Sequence, residues 1–270
     1  MHFVDLYEKH SSEFKFPYTG LSMTKELDSL LQRKIENFES FRDGENGVWT
    51  MIDAAYLVAR TLVAGVVKEA NLSSSETHRL MMWQTVLEYQ MESFFLILDK
   101  QLDAGMALMR MASELARDTA HIANDESSLD NWLGRSLDDV KRKEYRRRFK
   151  FSNDPTDQYV FQLYNLASTF GVHGHTLASM SMQPKDFSAD GSAISLEPSE
   201  ISVYQNIEIW MAAFFPLQDM CNRDFRKKGG QVLTEGARHY DDMKTAFNAA
   251  FAKYREALNE MKADILINLH

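Results

Sequence analysis

Six residues able to carry charge or a proton, Asp103, Arg110, Glu114, Arg117, Asp118 and His121, fall in one stretch, DAGMALMRMASELARDTAHIA from Asp103 to Ala123. Wound as an α-helix at about 100° per residue, they share an arc of roughly 100°. Leu108, Met111, Leu115 and Ile122 lie on the far side, and Ala104, Gly105, Ala107, Ala112, Ala116 and Ala120 let other helices approach closely. A solvated amphipathic face would show such an arc. Its pairs Arg110–Glu114 (favourable) and Glu114–Asp118 (repulsive) would each be worth a few tenths of a kcal/mol. The arc holds no Lys, Gln or Asn, and it joins carboxylate to imidazole, groups that titrate usefully near neutrality. That composition favours a polar seam lining a cleft.

A later stretch, DQYVFQLYNLASTFGVHGHTLASM, supplies the facing groups. Tyr164, Ser168 and His175 align on one helical strip, while His173 points away from His175 as long as the helix stays regular. Gly171 and Gly174 loosen that inference, because either can kink the helix. The first reading is therefore a binding or regulatory protein. Its pocket draws on Arg110, Glu114, Arg117, Asp118, Tyr164, Ser168, His173 and His175 to hold a small ligand, a nucleotide or RNA.

The alternative is a metal-dependent enzyme. Glu114, Asp118 and His121 stand at i, i+4 and i+7, so all three can enter one space, with His173 or His175 as a further ligand. Carboxylate and imidazole suit zinc, iron or manganese. Against it, the paired Glu-x-x-His repeats of di-iron bundles are missing, and Arg110 and Arg117 bring positive charge to the spot. Without a metal, Glu114, His121 and His173 are the candidates for general acid or base. No cofactor beyond that divalent metal is expected, since glycine-rich phosphate loops, a nucleophile elbow and cysteine metal spacings are absent.

A second kind of chemistry lies in KRKEYRRRFK, Lys141–Lys150, where seven of ten residues are basic in a chain of net charge −9. Arg146, Arg147 and Arg148 are its nucleic-acid candidates, through phosphate contacts and counterion release. A solvated helix balancing the acidic remainder reads the same way.

The segment from Met106 to about Met180 resembles a group of bacterial all-helical domains of unknown function. In these, one helix carries an arginine and a glutamate four residues on, here Arg110 and Glu114. A later helix carries tyrosine, serine and histidine, here Tyr164, Ser168 and His173. The group is similar in character to HEPN-type helical domains, some of which are ribonucleases, so the resemblance implies a helical fold and RNA as a ligand class. The nuclease motif of those domains sets four to six residues between arginine and histidine. Arg117 and His121 have three between them, so cleavage by that route is not expected.

The elements that must position these groups are helices. The chain of 270 residues has 12 Gly and 5 Pro, 44% hydrophobic and 26% charged residues, and helical periodicity along most of its length. This predicts an all-α fold: a single bundle-like domain over 1–270, with N-terminal helices in 1–101, seam-bearing helices in 103–182 and C-terminal helices in 200–266. One irregular loop or small hairpin falls near 183–199, with a tight-turn signal at Asp190-Gly191. Residues 48–70 are apolar on most sides apart from Arg60 and predict a central, buried helix. Ser74 or Ser75 is placed to cap the next one, and Asn153-Asp154-Pro155 to start another. Pro216 bends or ends a helix begun near Ser199. The final helix, with Met243, Phe247, Tyr254, Leu258 and Ile265 at core spacing, suits a bundle partner or a dimer interface, hence a homo-oligomer. One cysteine, Cys221, excludes an internal disulfide, and no apolar run approaches about 18 residues. A cytoplasmic protein with no secretory signal and no membrane partner is the expectation.

Overall fold

The structure, a computed structural model, describes residues 32, 35–36, 38–39, 41, 46–69, 72–171, 182–187, 193–198, 200–223, 225 and 231–268. Its elements are α1 (Asn46–Glu69), α2 (Ser74–Leu98), α3 (Leu102–Asn124), α4 (Ser128–Gly134), α5 (Asp139–Arg148), α6 (Pro155–Gly171), β1 (Met182–Phe187), β2 (Ala193–Pro198), α7 (Glu200–Asn222) and α8 (Gln231–Asn268). The fold is all-α, as the periodicity requires. The two strands form one antiparallel hairpin, paired from Met182 opposite Pro198 to Phe187 opposite Ala193 with register shifts on either side of Asp186.

Local chemistry sets most helix ends. The cap of α2 is Ser73, one residue before the serines expected. Its hydroxyl accepts from the Glu76 N–H, and the Glu76 carboxylate accepts from the Ser73 N–H at 2.9 Å. Only Ser73 has a glutamate at the third helical position, so only it can close this reciprocal box. The helix ends with Lys100 at φ 61°, while Lys100 N–H donates to the Ile97 carbonyl and Gln101 N–H to that of Leu96. That is a Schellman turn with lysine in the seat glycine usually takes. Pro155 begins α6, and Asp154 Oδ1 accepts from the Thr156 N–H at 2.9 Å. The polar stretch after α3 contains the short helix α4.

The seam helix α3 is the hub, lying against α2, α4, α6 and α7. Its closest approach is at Gly105: an added Cβ would sit 2.8 Å from Ile97 Cγ1 and 3.1 Å from the Ser93 carbonyl. Ser93 Oγ donates to the Gly105 carbonyl across that contact at 2.7 Å. Trp83, Phe94, Trp210, Phe214, Phe215 and Phe247 fill the space between α2, α7 and α8.

A wholly buried polar network ties α2 to α7. Trp83 Nε1 donates to Gln218 Oε1 at 2.5 Å, Gln218 Nε2 donates to Gln90 Oε1, and Gln90 Nε2 donates to the Phe214 carbonyl at 3.3 Å. Trp210 Nε1 donates to the Gln90 carbonyl at 2.6 Å. Pro216 sits within α7 without ending it. Gln90 Nε2 also reaches the Ala213 carbonyl, three residues before the proline, at 3.5 Å.

One expectation changes. Helix α1 is not the buried centre: it leans mainly on α8, and Thr50, Asp53, Leu57, Arg60, Thr61, Ala64 and Val67 form an exposed stripe. Among the described residues, its Val48–Val67 portion is the one helix long and apolar enough to cross a membrane, and about a third of it is buried. Asp53 and Arg60 interrupt the apolar run in sequence, yet the helix stays apolar on average.

Candidate ligand site and the divided polar seam

The structure divides the seam into three parts, because residues a few positions apart meet different neighbours. At the C-terminal side, Asp118 is buried and turned into the α4–α5 contact. Its Oδ1 accepts from Arg117 Nε at 2.9 Å and Nη2 at 2.6 Å; its Oδ2 accepts from Trp132 Nε1 at 3.0 Å and the Tyr145 hydroxyl at 2.8 Å. Arg117 Nη2 also donates to the Tyr145 oxygen at 2.8 Å. Arg135 lies 3.9 Å from the Trp132 ring centroid and closes the outside of the cluster. Burial pushes the Asp118 carboxyl up, outweighing the pull of Arg117, Tyr145 and Trp132 in the other direction. Burial alone would lower Arg117, but the Asp118 charge holds it above its ordinary value. With four donors on one carboxylate, this is a clamp joining α3, α4 and α5. Its lone pairs are already engaged.

One turn further on, His121 is committed to Ser128. The Ser128 hydroxyl has a single proton and gives it to Asp125 Oδ2 at 2.9 Å, since a carboxylate can only accept. Ser128 Oγ therefore accepts from His121 Nε2 at 3.2 Å, which fixes the proton on that nitrogen. This polarity is opposite to that of a base-activated serine nucleophile. The imidazole lies 4.4 Å from the Phe149 ring, and burial lowers its pKa despite the nearby Asp125 and Asp118.

The N-terminal part is open. Arg110 Nε donates to Glu114 Oε1 at 3.2 Å, and the two side chains keep 31% and 37% of their surface. The Arg110 guanidinium stands 5.5 Å from the Tyr164 centroid on α6. Tyr164 belongs to an aromatic step: it is nearly parallel to Phe161 at 6.3 Å and tilted against Phe151 at 5.7 Å, with Arg117 5.6 Å from Phe151 on the inner side. One turn along α6 from Tyr164, Ser168 Oγ is buried without a protein partner. Thus Arg110 of α3, paired with Glu114, meets Tyr164 of α6, whereas Asp118 and His121 turn to α4. His173 and His175 lie outside the described residues.

The metal reading needs Glu114, Asp118 and His121 at one point, and they are not brought there. Each has a different partner, and among the described residues no three His, Cys, Asp or Glu side chains converge. The basic run also sorts itself. Glu144 takes Arg147 at 2.6 Å and Arg148, and Arg148 reaches Asp125 at 3.5 Å. Those hydrogen bonds draw Glu144 down to about 2. Of the three arginine candidates only Arg146 stays uncommitted among the described residues.

Trp132, Ser128 and Asp125 are absent from the sequence reading. The i,i+4 pair Tyr145–Phe149 was a visible signal, but its partners across the chain were not. Comparisons with protein-family models, curated proteins and solved structures find no match.

Proposed function

We propose that this chain is a helical binding protein whose ligand site is the open α3–α6 corner of Arg110, Glu114, Tyr164 and Ser168. The ligand is a small anion bearing a planar group, of which a nucleotide is the best-fitting class. The observation that carries this is the half-exposed Arg110 guanidinium over Tyr164, beside the parallel Phe161. Guanidinium and aromatic faces together stack on planar rings and hold phosphate or carboxylate by paired N–H donors. Glu114 takes one of the five guanidinium donors, which leaves capacity for an anion. It also offers an acceptor to a base edge or ribose hydroxyl. The buried Ser168 hydroxyl adds a polar group that no protein atom satisfies.

A thermal-shift screen with ATP, GTP and short RNA oligomers tests this. A ligand at 100 times its Kd raises stability by about 2.7 kcal/mol. The expected result is such a shift in the wild type and its loss in Arg110→Gln and Glu114→Ala. Both variants should melt near the unliganded wild type, because an exposed pair of this kind contributes about 0–1 kcal/mol. No shift with any nucleotide or oligomer, or a shift unchanged in Arg110→Gln, overturns the reading. A large loss of intrinsic stability in Glu114→Ala would make that residue structural instead.

A further inference from the structure

We infer that the outward face of α5, together with the turn that leads into it, docks on an anionic phospholipid surface. Among the described residues, Leu137 and Val140 are the most exposed large hydrophobic side chains, at 90% and 75%, with Leu133 beside them at 45%. They are held out by an ordered backbone. The Leu137 and Asp138 N–H groups both donate to the Gly134 carbonyl, at 3.0 and 2.9 Å, and Asp138 Oδ1 caps α5 through the Val140 N–H at 2.7 Å. Helix α5 has no buried residue of its own, so its whole outer side is free to meet another surface.

Charge decides what that surface is. Val140, Lys143 and Arg147 lie at i, i+3 and i+7 on one strip, with Arg146 about 60° to its side. Lys143, Arg146 and Lys150 are exposed and have no ion-pair partner among the described residues, in contrast to Lys141, Arg142, Arg147 and Arg148. The acidic groups near the apolar end are engaged: Asp138 in the cap, Asp139 with Arg142 at 2.9 Å and Asp130 with Lys141 at 2.7 Å. An apolar wedge at one end of a helix about 15 Å long, and uncommitted cations at the other, match a lipid interface. There, leucine and valine enter the acyl boundary while lysine and arginine stay among anionic headgroups. A phosphodiester chain would use the cations and leave Leu133, Leu137 and Val140 in water. The absence of a long apolar run in the sequence concerns spanning a bilayer, which surface docking does not need.

The test is co-sedimentation of the full chain with phosphatidylcholine vesicles and with 3:1 phosphatidylcholine–phosphatidylserine vesicles, at 50 and 300 mM salt. Binding should require phosphatidylserine and weaken with salt. Each cation near the surface is worth about 1 kcal/mol, or about fivefold. The triple variant Lys143→Gln/Arg146→Gln/Lys150→Gln should therefore lose on the order of a hundredfold. Leu137→Ser/Val140→Ser should lose about tenfold or more at unchanged charge. Unaltered circular dichroism and melting temperature confirm that both variants are folded. The inference is overturned by no binding to the phosphatidylserine vesicles at low salt, or by full binding in Leu137→Ser/Val140→Ser. A single-stranded oligonucleotide that displaces vesicles and binds the Leu137→Ser/Val140→Ser variant as well as the wild type would assign the face to nucleic acid instead.

Discussion

Replacing Asp118 separates a clamp from a ligand site more sharply than any other change. Its carboxylate satisfies two N–H groups of Arg117, the Trp132 indole and the Tyr145 hydroxyl, and the Arg117–Asp118 pair is nearly dry, with 14% and 4% of the side-chain surfaces exposed. Burial raises the carboxyl pKa in spite of these donors, while the Asp118 charge holds Arg117 above its ordinary value; a buried pair of this kind is weak evidence of net stability. Removing one partner is another matter. Asp118→Ala strands a buried guanidinium and two neutral donors and should cost about 3–5 kcal/mol. At about 2–4 °C per kcal/mol, the melting temperature falls by about 6–20 °C. Asp118→Asn keeps the shape but turns an N–H₂ toward either Arg117 or Trp132, neither of which can accept, and should cost about 2–3 kcal/mol. Adding Arg117→Met then removes the competing donors and lets the carbonyl oxygen of the introduced amide serve Trp132 and Tyr145. The double variant should therefore be more stable than Asp118→Asn alone, by about 1 kcal/mol or more. Urea unfolding followed by circular dichroism gives the free energies of these three variants and of Arg117→Met alone. Additive losses in the double variant, or a cost below about 1 kcal/mol for Asp118→Ala, would refute the clamp.

Two further outcomes follow from the same reasoning. Gln90→Leu leaves the buried Gln218 amide and the Phe214 carbonyl without their partner, for about 1–3 kcal/mol, and Gln90→Glu should cost more because it brings a charge into the same site; equal stability of wild type and Gln90→Leu in urea would contradict this. His121 is held below its ordinary 6.5, so its contribution is present above pH 6.5 and is lost as pH falls toward the folded-state value. The wild type should thus lose more stability between pH 7.5 and pH 5 than His121→Gln does, and a His121 NMR titration midpoint above 6.5 would reverse the sign and sink the argument.

The all-α class, the start at Asp154-Pro155, the α3–α6 pairing of Arg110 with Tyr164 and the hairpin near 183–199 were legible because periodicity, caps and turn residues are local signals. What was not legible is long-range. An arc of about 100° on a helix treats Glu114 and Asp118 as neighbours, yet one pairs with Arg110, whose guanidinium meets α6, and the other meets α4 and α5. No spacing rule reveals that Trp132 and Tyr145 converge on Asp118 from positions 14 and 27 residues away. Other misses were local and could have been read. Glu144 stands three and four residues before Arg147 and Arg148, which engages those two arginines from within the basic run. Gln90, between Leu87 and Phe94 at core spacing, is the pattern of a polar residue held inside. Exposure of Leu137 and Val140 depended on where α4 stopped, and that helix was not anticipated.

The division of the seam has a functional consequence. A binding corner on α3 works only if Arg110 keeps its place over Tyr164, and the Arg110–Glu114 bond, half exposed, is too weak to hold it. Rigidity has to come from α3 itself. The Gly105 contact pins one end of that helix against α2, and the Asp118 clamp pins the other against α4 and α5. Arg110 and Glu114 lie between the two. Supporting contacts of this kind hold first-contact groups in a fixed geometry before a ligand arrives, which reduces the ordering cost of binding. Asp118, a ligand-binding and metal candidate in the sequence, and His121, a metal and acid–base candidate, then serve the proposed site without touching its ligand. On that basis, Asp118→Asn should weaken ligand binding at Arg110 even at temperatures where the chain remains folded, while leaving salt-dependent attachment through Lys143 and Arg146 in place. Equal ligand affinity in wild type and Asp118→Asn would show that the open corner is rigid without the clamp.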